Sequence, residues 1–137
     1  MLFVGNIDSF EDLVHKYKAI KDQSIYMGYQ KDLMAVYSIC DLYLNLHRIG
    51  GGTSAALALL AGIPVFSFPY GDVSNVTTSE YHIHNISDIE EYILKLEDVD
   101  FKKLERERIL QRADEIFDSS KILCEIIRNA KKQPFFY

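Results

Sequence analysis

Apolar residues along this chain fall into short continuous runs, separated by stretches where they recur every three or four positions. Residues 1–5 (MLFVG) form such a run and predict a buried strand closed by glycine. Asp8 and Ser9 can cap a helix reaching about residue 20, with Phe10, Leu13, Val14 and Tyr17 on one face. Residues 24–28 (SIYMG) predict a second strand, and residues 32–39 a short helix whose apolar face is Leu33, Val36 and Tyr37. A third strand is expected over residues 42–46. A glycine turn and a compact helix follow, ending at Gly62, and a fourth strand spans residues 64–68. Residues 81–83 suit a short fifth strand. Residues 71–79 (GDVSNVTTS) read as the most loop-like stretch of the middle region.

The carboxyl-terminal third changes period. Ser87 is expected to cap a helix to about residue 96, with Asp88, Glu90 and Glu91 in its first turn, where carboxylates complement the helix dipole. Helices are expected over residues 101–117 and 119–131, and an irregular tail over 131–137. Strands apolar on both faces and alternating with helices imply an α/β fold, Rossmann-like, with a parallel sheet covered on both sides. Such sheets place ligands at the carboxyl ends of their strands, which here are the loops after Gly5, Gly28, Leu46 and Phe68.

At 137 residues the chain fits a single domain. Its 48% hydrophobic content supports a core. A net charge of −5 argues against a nucleic-acid grip through phosphates. No apolar run has membrane-spanning length and no secretory signal follows Met1. Cys40 and Cys124 lie in apolar helical patterns without CxxC spacing, which reads as buried thiols in a reducing cytoplasm.

The stretch over residues 44–69 carries the chemistry. Gly50, Gly51 and Gly52 let the backbone approach a ligand closely, and Thr53 and Ser54 open a helix whose amides and dipole face the same point. This is a phosphate or diphosphate cradle, or else a plain strand–helix connection. The GxGxxG fingerprint is absent and so is a Walker A lysine. Arg48 either adds a charge-assisted contact to the anion or is solvated, and His47 is a weaker candidate beside it. Asp72, past the fourth strand, can accept a sugar hydroxyl or cap a turn. Gly28 ends a strand where a base can lie, and Tyr29 can stack on it or simply pack. His82 and His84 lack ligand-spaced partners, so no metal site is expected. The acidic residues between 88 and 107 read as solvated helix faces.

The ordered pattern resembles the carboxyl-terminal, donor-binding domain of GT-B-type glycosyltransferases. It is carried by Tyr26-Met27-Gly28-Tyr29, by Cys40-Asp41-Leu42-Tyr43-Leu44-Asn45, by Gly51-Gly52-Thr53-Ser54 and by the run Ala58 through Val65 (ALLAGIPV). The GGTS form is similar to the branch that includes protein O-GlcNAc transferases and some bacterial surface-glycan and protein-glycosylating enzymes. The resemblance implies a nucleoside-diphosphate-sugar donor, UDP-linked by expectation, with its diphosphate on Gly51, Gly52, Thr53 and Ser54. It implies no tightly bound metal or other cofactor. Many relatives carry an acidic ribose ligand where this chain has Leu57. The acceptor, a glycan or protein, belongs to an amino-terminal domain outside this sequence, so a fragment inactive by itself is expected. Unpaired strand edges beside residues 42–46 suggest a homo-oligomer. The alternatives are a non-catalytic interaction domain of the same fold, and a sugar-nucleotide epimerase, for which no carboxylate pair is evident.

Overall fold

The computed structural model describes residues 1–5, 7, 10–45 and 50–118. They divide into two compact units, with the boundary after Val36.

In the first unit, strand β1 (Leu2–Val4) pairs in parallel with β2 (Ile25–Gly28). The Gly5 amide donates to the Gly28 carbonyl at 2.8 Å, closing the ladder where Gly28 takes a φ of 63°. The connection is two helices, α1 (Phe10–Lys16) and α2 (Lys18–Gln23), not the single helix expected. The break lies at Tyr17: its amide still donates to the Leu13 carbonyl at 2.9 Å, but its extended φ of −125° and ψ of 99° turn the chain out of α1. Phe10 stacks on Tyr26 with ring centroids 4.5 Å apart and meets Phe3 at 5.3 Å, so aromatic contacts bind α1 to the two strands. The proposed caps Asp8 and Ser9 lie outside the described residues. The short helix α3 (Leu33–Tyr37) begins where the Asp32 carboxylate accepts from the Ala35 amide at 3.0 Å. Val36 and Tyr37 of its expected apolar face are buried.

In the second unit, β3 (Tyr43–Asn45) and β4 (Val65–Ser67) run parallel, with Asn45 opposite Ser67 at their carboxyl ends. Among the described residues the strands thus form two two-stranded parallel ladders, where one continuous sheet was expected. The crossover is α4 (Gly52–Leu60). Its alanines 55, 56 and 58 are buried with Leu59, and small side chains there let α7 (Val99–Phe117) pack against it. At its end Gly62 takes φ 73°. Its amide donates to Leu59 and the Ile63 amide to Ala58, both at 2.9 Å, a pairing that stops the helix and turns the chain into β4.

Three expectations are corrected here. Residues 71–79 are not a loop but hold a helix, α5 (Asp72–Val76), fixed at its far end by Arg112, which donates to the Val76 carbonyl at 3.2 Å. The fifth strand is instead a 3₁₀ turn (Ser79–Tyr81) followed by a single parallel bridge from His82 to Ser67. Helix α6 (Ile86–Lys95) starts one residue before Ser87, because the Asp88 carboxylate gathers the amides of Asn85 (2.9 Å) and His84 (3.2 Å) at its entry. Helix α7 is capped by Asp98, which accepts from the amides of Asp100 and Phe101. No helix among the described residues is long and apolar enough to cross a membrane.

Candidate functional site

The three glycines of the turn have separate structural reasons. Gly50 and Gly51 take φ values of 93° and 96°, a region that side chains with a Cβ rarely occupy. Gly52 is already helical, but a Cβ there would lie 3.3 Å from the Asp72 Cβ. Close approach of α5 to the start of α4 therefore explains the third glycine, which no tight turn alone requires.

Gly51 is the N-cap of α4, and no side chain among the described residues caps that helix. The Ala55 amide closes the first helical hydrogen bond onto the Gly51 carbonyl at 2.9 Å. The amides of Gly52, Thr53 and Ser54 precede it and have no intrahelical acceptor. They open beside the carboxyl ends of β3 and β4, with Thr53 exposed and Ser54 half-buried. An anion placed there meets donors and the positive end of a nine-residue helix.

Asp72 belongs to this corner. Its Oδ2 is 3.9 Å from where a Gly50 Cβ would stand, and its side chain is exposed. A carboxylate so placed accepts hydroxyl donors and opposes a second negative charge. Gly28 and Tyr29 lie in the first unit. Gly28 has open space around its Cα, and Tyr29 is 69% exposed. His47 and Arg48 lie outside the described residues, as do Cys124 and the aromatic carboxyl terminus.

Three residues that the sequence did not assign to the site, Asn45, Tyr43 and Tyr37, border the turn and the first turn of α4. Asn45, 6% exposed, donates from Nδ2 to the Gly50 carbonyl at 3.3 Å. Its Nδ2 is also 2.7 Å from the position of a Gly51 Cβ, and the Tyr43 hydroxyl is 3.8 Å from it. The Tyr37 hydroxyl donates to the Ser54 carbonyl at 2.8 Å. Burial pushes the Tyr37 phenol up to about 12, so it remains a donor at neutral pH. A polar residue closing an apolar strand just before a glycine turn was the available signal for Asn45.

Glu105 overturns the reading of the acidic helices as wholly solvated. It is 3% exposed and accepts from the hydroxyls of Tyr81 and Tyr92, the latter at 2.7 Å, and from Arg108 at 3.1 Å. Burial raises both phenols, and the bonds to Glu105 raise them further. His82 contacts the Ser74 carbonyl through Nε2 at 3.2 Å, and the His84 amide donates to Asp88. Among the described residues no cluster of three or more His, Cys, Asp or Glu is arranged to hold a metal ion.

No protein-family model matches the chain. No curated protein matches it either. Solved structures do match. Alr3699/HepE from Anabaena, in complex with UDP, aligns with a TM-score of 0.67 at 17% identity, over 96% of this chain and 40% of that one. A mutant of TarM from S. aureus, in complex with fondaparinux, alpha-GlcNAc-glycerol and UDP, gives 0.71 at 18% identity, over 93% and 28%. The pneumococcal O-GlcNAc transferase GtfA, in complex with UDP and GlcNAc, gives 0.59 at 20% identity, over 96% and 28%. The chain has the fold of a GT-B-like carboxyl-terminal domain. It spans between 28% and 40% of the length of these three proteins. Within the GT-B-like domain, the glycine turn, the start of α4 and Asp72 come together at the carboxyl edge of the β3–β4 ladder.

Proposed function

We propose that this chain binds a nucleoside-diphosphate sugar, as the donor-binding domain of a glycosyltransferase that passes the sugar to a glycan or protein acceptor. One observation carries the reading: the amino end of α4, uncapped by any described side chain, opens at the carboxyl edge of a parallel ladder in a GT-B-like fold. The solved proteins of that fold named above were captured with UDP, which supports UDP as the nucleotide.

In this reading the amides of Gly52, Thr53 and Ser54, with the Thr53 hydroxyl, meet the diphosphate. Gly50 and Gly51 shape the approach, and Arg48 and His47 stand next in sequence to add positive charge. When the bond from the anomeric carbon to the diphosphate oxygen breaks, the electron pair goes to the diphosphate. The helix terminus stabilises that charge without a bound metal. The acceptor hydroxyl oxygen forms the new bond to the anomeric carbon, and its proton passes to water or to the departing diphosphate. Asp72 accepts a hydroxyl of the donor sugar.

Titration of the isotope-labelled chain with UDP and with GDP tests this. Amide shifts centred on residues 50–54 and on Asp72, larger for UDP, are the expected result. Absence of shifts at millimolar concentrations of both nucleotides would remove the donor site and leave a nucleotide-independent interaction domain.

A further inference from the structure

The geometry points to Asn45 as a positioning residue for the diphosphate: it holds the glycine turn in the shape that leaves the α4 amides open. This inference rests on the donor-binding reading above. Asn45 closes β3, is almost wholly buried, and spends its Nδ2 on the Gly50 carbonyl. That bond ties the Gly50 carbonyl to the buried end of β3. With the carbonyl so held, Gly50 and Gly51 keep their positive φ, and the α4 amides that lack intrahelical acceptors follow directly after them. A Cβ at Gly51 would collide with the same nitrogen at 2.7 Å, so amide and glycine fit each other as a pair.

A second observation marks the same end of the ladder. Ser67 is the register partner of Asn45 on β4, so the two side chains leave the same face of the ladder. Ser67 is 2% exposed, and its Oγ has no hydrogen-bond partner among the described residues. Buried polar atoms without partners are uncommon in folded proteins, and their presence calls for an explanation. This orphan hydroxyl shares its face of the ladder with the side chain that ties down the turn. The Tyr37 hydroxyl holds the first turn of α4 through the Ser54 carbonyl.

The test compares UDP with uridine, which lacks phosphate, on the whole chain and on Asn45→Ala and the isosteric Asn45→Asp. Loss of one such hydrogen bond should weaken UDP roughly three- to tenfold, and Asn45→Asp more than Asn45→Ala, since it adds a negative charge. Uridine shifts should be unchanged, and the amide fingerprint of α6 and α7 should match the parent chain. The unaltered chain gives an independent readout: the Asn45 side-chain NH₂ resonances should move with UDP and stay still with uridine. Equal UDP affinity in both variants, parallel losses for UDP and uridine, or a motionless Asn45 NH₂ under UDP would overturn the inference while leaving the donor site standing. If the unaltered chain shows no UDP response, the donor-binding reading itself falls and the inference with it.

Discussion

At the scale of single residues, Gly51 and Asp72 divide the work of the turn between shape and charge. Gly51→Ala forces a Cβ into positive φ and against Asn45. Its expected cost is about 1–3 kcal/mol, read as a lower denaturant midpoint, together with loss of UDP-induced shifts at residues 50–54. Asp72→Asn acts differently. On the donor-binding reading proposed above, it removes a charge that opposes the diphosphate and weakens the acceptor for a sugar hydroxyl. Calorimetry should therefore find UDP binding equal or tighter and the preference for UDP-glucose over UDP reduced. An unchanged preference would place Asp72 outside the sugar site. The glycine turn was legible in sequence because three consecutive glycines exceed what a connection demands. Asn45 left only a faint mark, a polar residue closing an apolar strand before the glycines, and its part in the turn shows once its amide is seen on the Gly50 carbonyl.

At the scale of elements, agreement and disagreement follow the range of the forces involved. Helix α4 and its stop at Gly62 were readable because glycine after an alanine-rich helix is a local signal. Helix α5 was missed because Ser, Asn and Asp there favour turns. Its helical state depends on Val73 being buried and on Arg112 reaching the carbonyls of Asn75 and Val76 from α7. Glu105 was misread for the same reason: spacing along α7 shows a charged stripe, while its burial comes from Tyr81 and Tyr92 on other elements. Glu105→Leu leaves both phenols and Arg108 without their shared acceptor. Its expected cost is roughly 2–5 kcal/mol in urea denaturation, with Glu105→Gln milder because it keeps an acceptor oxygen. A Leu variant as stable as the parent would show that the network contributes nothing net.

At the scale of the whole molecule, the buried phenols predict how stability depends on pH. Tyr37, Tyr81 and Tyr92 all hold their protons more tightly when folded than at the ordinary phenol value of 10.0. Above pH 10 the unfolded chain releases these protons first, so the unfolded state binds fewer and stability falls as pH rises. Below pH 10 the three groups contribute their full share. Denaturant midpoints should be insensitive to them near neutrality and drop above pH 10, with part of the phenolate absorbance appearing only on unfolding. Tyr37→Phe should flatten part of that alkaline decline, most clearly up to about pH 12. The sequence by itself determined the alternation of strands and helices, the parallel α/β class and the glycine-opened helix, because hydrophobic period and glycine conformation act over a few residues. Only the tertiary structure decided that Asp72 stands at the turn, that Asn45 supports it and that Glu105 is buried. Each depends on side chains from separate elements meeting in space, and no local pattern along the chain encodes that meeting.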